Sequence, residues 1–134
     1  MGSVSDDPRY GAEVRRRLRE LPGAGDLPRG PGRLFGAAGD PEQGARVEFT
    51  LFVAHDRVAE ARFRAFGCPH FIAAASWLTE RLRGARQADL AGWDWREAAE
   101  ALDIPPAKFG RLLTLQDAVR DAARNWPGAT GSTV

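Results

Sequence analysis

The single cysteine of this chain, Cys68, is carried by the stretch Ala61-Arg62-Phe63-Arg64-Ala65-Phe66-Gly67-Cys68-Pro69-His70. Before Cys68, apolar and polar residues alternate as in a half-buried strand. After it, apolar residues repeat at the three-to-four spacing of an amphipathic helix. The thiol therefore falls at a helix start, where unpaired backbone N–H groups and the positive end of the helix dipole favour an anion and lower a thiol pKa. A thiolate is a nucleophile and a soft metal ligand. Pro69 suits the first helical position, which needs no N–H. A lone cysteine also serves as a small buried apolar residue, and both readings stand at this point.

Composition bounds the rest. With 134 residues the chain is expected to form one domain that buries roughly two-thirds of the surface its unfolded form exposes. One cysteine makes no internal disulfide. Nineteen basic against eighteen acidic residues leave a net charge of +1, so no bulk field recruits nucleic acid or an anionic membrane. The one basic run, Arg15 to Arg17 with Arg19, interleaves with Val14, Leu18 and Leu21 and reads as the solvated face of a short helix. Residues 3–8 are polar and acidic, unlike a secretory signal, and Asp6 breaks the myristoylation pattern. The expectation is a soluble cytoplasmic protein. Neither a Ser/His/Asp set nor a glycine-rich phosphate loop stands out, and His55, in the expected hairpin turn, has no assigned role.

The elements that position Cys68 can be read in order. Residues 1–8 are expected to be a flexible start and 127–134 a flexible tail, around a single domain over 9–126. A first helix is predicted over 8–20, then a long Gly/Pro-rich segment over 22–44 with a short strand at 33–37. Strands over 46–53 and 58–66, joined at 55–57, form an antiparallel hairpin with one buried face. A helix over 69–83 follows, with Gly84 placed to end it. Asp94 and Glu97 resemble a capping box opening a short helix to residue 102. A long last helix carries Phe109, Leu112, Leu113, Val119, Ala123 and Trp126 and stops at Pro127. Trp77, Trp93 and Trp95 are expected in the core rather than in an exposed patch. The fold class is α+β, a small antiparallel three-stranded sheet covered on one face by helices.

Three blocks carry a family resemblance: 61–68 with the helix to Gly84, the stretch Leu102-Asp103-Ile104-Pro105-Pro106-Ala107-Lys108, and Asp117-Ala118-Val119 in the last helix, joined by Tyr10. The chain resembles the NifU N-terminal, or IscU-like, family of iron–sulfur cluster assembly scaffolds. That resemblance implies a protein that takes sulfur from a cysteine desulfurase, builds a [2Fe–2S] unit and passes it on, without being an enzyme. Ile104, Pro105, Pro106, Ala107 and Lys108 resemble the motif by which such scaffolds are gripped by an Hsp-type chaperone. The other reading is that the prolines separate two helices. Lys108 is the only lysine in the chain.

The resemblance also implies ligand positions, and most have changed. In the first ligand loop, matched at 39–45, Gln43 stands for a cysteine and Ala45 for an aspartate. Gly110 and Arg111 stand for a histidine and a cysteine. Only Cys68 remains, and a cluster needs about four ligands. Asp40 and Glu42 in that loop, with His70, offer a mixed Cys/His/carboxylate site for Zn²⁺ or Fe²⁺. The plainer readings are a first-turn surface histidine and solvated carboxylates. Arg111 is also placed to supply positive charge beside Cys68. Two functions follow: a cluster-assembly protein using one thiol, as persulfide acceptor or with two chains bridging a cluster as a homodimer, or an interaction module that has lost cluster chemistry. The cofactor is accordingly an iron–sulfur cluster, iron, or none.

Overall fold

A computed structural model describes residues 10–127, so the expected flexible start and all of the expected tail beyond Pro127 lie outside the described residues. The alternation around Cys68 becomes a three-stranded antiparallel sheet in the order β1 (Arg33–Asp40), β2 (Ala45–Ala54), β3 (Arg57–Phe66). The register sets Phe49 opposite Phe63 and Arg46 opposite Phe66. The β2–β3 turn is shorter than expected: His55 and Asp56 alone make it, both at positive φ (53° and 65°), matching the twist of the flanking strands. β1 runs three residues past its expected end because all of 33–40 finds partners on β2, from Arg33 opposite Phe52 to Asp40 opposite Ala45.

Leu34, Val47, Phe49, Leu51, Ala61 and Phe63 face the helices and are buried. Covering this face are α2 (Pro69–Arg81) and α5 (Phe109–Arg124), while α1 (Ala12–Glu20) packs on α2, α3 (Gln87–Ala91) on α5, and α4 (Arg96–Ala101) against both. The opposite face carries alternating polar positions and leaves Phe35 and Phe66 exposed. Gly36 explains how close α5 lies to β1, since a Cβ there would stand 2.4 Å from the Ala118 carbonyl oxygen. Trp93 is buried, and Trp77 and Trp95 pack half-buried against the core, as expected.

Both sheet edges are blocked. Phe63 on β3 exchanges backbone hydrogen bonds with Gly23 and Gly25 at 2.9 Å. On β1, the Ala37 amide donates to Asp121 Oδ2 at 3.0 Å and Asn125 Nδ2 donates to the Phe35 carbonyl at 2.7 Å. Side chains of α5 thus finish the ladder of an edge strand that would otherwise offer it to another chain.

Several expectations need correction. Arg17 is not part of a solvated face. It is buried, ion-paired with Glu13 at 2.7 Å and with Glu80, and it donates to Ser76 Oγ at 3.2 Å, which ties α1 to α2. α2 stops at Arg81 rather than 83, while Gly84 at φ +84° turns the chain so that its amide bonds the Val58 carbonyl. α3 escaped the periodicity because five residues span barely more than one turn. The Asp94/Glu97 box does not form. Asp94 Oδ1 accepts from the Arg96 amide at 2.8 Å, whereas Glu97 is drawn to Arg81 at 2.9 Å.

Candidate functional site

At the β3–α2 junction Cys68 is the N-cap residue (φ −70°, ψ 163°) and Pro69 the first helical residue, as the spacing predicted. The Cys68 carbonyl accepts the Ile72 amide at 3.1 Å, closing the first turn. No side chain caps this helix start. Its first amide groups therefore have no side-chain acceptor. Phe71 backs the junction from the core, and a Cβ at Gly67 would meet its ring at 2.7 Å. The thiol is free and half-buried.

His70 is not an ordinary exposed first-turn residue. It is half-buried against Tyr10, with ring centroids 4.8 Å apart. Burial, and secondarily the positive charge of Lys108, lower its pKa from the ordinary 6.5 and favour the neutral imidazole. Lys108 thereby marks the start of α5 as a neighbour of the start of α2. Tyr10 had entered only through the family resemblance, because nothing local in the sequence signals its contact with a residue so distant in the chain.

The β1–β2 turn, where the resemblance sets its changed ligand positions, lies at the same end of the sheet as the Cys68 junction, since Arg46 pairs with Phe66. Asp40 caps the short 3₁₀ turn Pro41–Gln43, accepting the Glu42 amide at 2.9 Å. Gly44 follows at φ +97°, and Ala45 is buried. Arg111 reaches across from α5 and donates Nη1–H to the Gln43 carbonyl at 3.0 Å. Its hydrogen-bonding partner is the turn rather than the thiol. Gly110 beside it is exposed. Among the described residues, no three His, Cys, Asp or Glu side chains are grouped to hold a metal ion, so Asp40 and Glu42 do not join Cys68 and His70.

In the proline segment, Ile104 is buried in the core, while Pro105, Pro106 and Ala107 are exposed and Lys108 is half-buried. Pro106–Lys108 form a 3₁₀ turn leading straight into α5. The accessible part of the expected chaperone motif is thus its middle, with Ile104 serving as the anchor. A cavity of about 530 Å³ lined by Arg81, Gly84, Asp89, Trp93 and Glu97 opens beyond the C-terminal end of α2, away from Cys68.

Residues 25–133 match the family described as NifU-like N terminal domain. The chain is 29% identical over 96 residues to iron sulfur cluster assembly protein 1 of Trachipleistophora hominis, covering 72% of this chain and 70% of that protein. It is 30% identical over 92 residues to the iron-sulfur cluster assembly scaffold protein IscU of Rickettsia prowazekii, covering 68% and 70%. It is 36% identical over 130 residues to the bifunctional protein NifU/MnmA of Rubrobacter xylanophilus, spanning 94% of this chain but 26% of that protein. A scaffold protein for the SUF system from Fervidobacterium islandicum superposes with a TM-score of 0.65 at 12% identity, over 85% of this chain and 96% of that one. The N-terminal part of a NifU-like protein from Brucella abortus superposes with a TM-score of 0.63 at 16% identity, over 85% and 91%. At such identities these structures bear on the fold.

Proposed function

Because the chain belongs to the NifU-like N terminal domain family, we propose that it takes part in iron–sulfur cluster assembly through one thiol, with Cys68 accepting sulfur from a cysteine desulfurase. The observation that carries this reading is the placement of a free, half-buried Cys68 at the uncapped N-terminus of α2. There the sulfur is partly accessible, beside helix amides that no side chain caps. In the transfer, Cys68 Sγ⁻ attacks the outer sulfur of the donor's persulfide. A new S–S bond forms on Cys68, the donor's S–S bond breaks, and the donor cysteine leaves as its thiolate.

The [2Fe–2S] unit is cargo of such a pathway, and the side chains of a single chain do not fit it. A cluster needs about four thiolate-like or substituting ligands. Gln43 and Ala45 supply no thiolate or carboxylate, and Arg111 presents only N–H donors. A second reading, an interaction module engaged by an Hsp-type chaperone, is favoured by the exposed Pro105-Pro106-Ala107 surface.

The test is incubation with a cysteine desulfurase and cysteine, reading mass added to the intact protein. A gain of one sulfur on the parent and none on Cys68→Ser is expected. An unmodified parent whose Cys68 still alkylates would leave the interaction module standing.

A further inference from the structure

A turn that presents ligands to a metal draws its rigidity from the bound ion, and a turn that has lost those ligands needs another hold. We infer that Arg111 is a latch that keeps the 40–44 turn closed on the start of α5 with no metal ion. The identity of this turn as a former ligand loop rests on the family reading above, whereas its closure rests on the hydrogen bond itself.

Three observations converge. The Arg111 Nη1–H bond to the Gln43 carbonyl joins residues 68 positions apart at 3.0 Å, and among the described residues Arg111 has no carboxylate partner competing for it. Gly44 sits directly beneath the guanidinium. A Cβ there would stand 2.8 Å from Arg111 Nη2, and φ +97° already disfavours any other residue. The turn's remaining bonds are internal or run to the adjoining strand: the Gly44 amide to the Pro41 carbonyl at 3.0 Å, the Asp40 cap, and Arg46 Nη1 to the Gly39 carbonyl at 3.2 Å.

The chemistry is opposite to that of a metal ligand. A guanidinium is a permanent cation with donors only, so it repels Fe²⁺ or Zn²⁺ and satisfies a carbonyl instead. A metal could enter only by displacing it.

Hydrogen–deuterium exchange of the full chain, read over 40–46 and over 68–75 as an internal control, tests the latch. Arg111→Ala and Arg111→Met are expected to speed exchange over 40–46 about fivefold to tenfold and leave 68–75 unchanged, with Arg111→Lys intermediate because it keeps a donor but not the fork. Chelator or added Zn²⁺ should leave the parent's exchange over 40–46 as it is. Unchanged exchange in both Arg111 variants, or a parent turn that opens on chelation, overturns the latch. Sulfur transfer to Cys68 in the parent is read separately, so its failure sinks the sulfur-acceptor reading and leaves the latch intact.

Discussion

Two regions lie at one end of the sheet and are organised differently. The β3–α2 junction keeps its thiol, its helix start and a neutral histidine. The β1–β2 turn is instead tied to α5 by a side-chain hydrogen bond, from Arg111 to the Gln43 carbonyl. The first region is set by backbone geometry, which any sequence with the same helix start retains. The second depends on one side chain, the Arg111 guanidinium, which reaches the turn from α5. One end of a sheet can thus be held at one place by backbone geometry and at another by a single long-range side-chain contact.

The largest effect expected on this contrast is a gain. Gln43→Cys combined with Arg111→Cys would place two thiols at the end of the sheet that carries Cys68 and remove the repelling cation. Zn²⁺ affinity, read by competition with a chromophoric chelator, should rise at least about 100-fold over the parent. No gain would mean that the two regions do not converge on a common ligand.

Next is Gly36→Ala, which drives a methyl into the Ala118 carbonyl and the Ala122 backbone and shifts the helix that carries Arg111. A loss of about 2–3 kcal/mol in urea unfolding is expected. A neutral result would show that α5 moves freely over β1, and that the latch, not the packing, sets its position.

The smallest effect is on pH dependence. His70 has a folded-state pKa below its ordinary 6.5. Between those two values the unfolded chain binds more protons than the folded one, so the His70 contribution is present above pH 6.5 and is lost as pH falls through the window. His70→Gln should flatten the melting temperature between pH 6.5 and 5.5 relative to the parent. Equal slopes would return His70 to an ordinary surface residue.

The hairpin, the placement of Cys68 as N-cap and Pro69 as first helical residue, and the α+β class were legible in the sequence. Each follows from a period of two changing to a period near four within a few residues. α3 and the true partners of Glu97 were not legible. A five-residue helix shows no periodicity, and Glu97 chose Arg81, sixteen positions away, over its own helix start. The basic run misled for a related reason. Its spacing placed Arg17 on a polar face, but Glu80 and Ser76 of α2 gave its guanidinium enough partners to be buried.

The amino-acid sequence by itself determined the local elements and the single cysteine at the start of α2, because periodicity and residue identity are local properties. Only the tertiary structure decided that Tyr10 covers His70, that Arg111 closes the turn at Gln43, and that Asp121 and Asn125 finish the edge of β1. Those contacts join positions 60 to 90 residues apart. Their existence depends on how helices pack on the sheet, which no short window of sequence specifies.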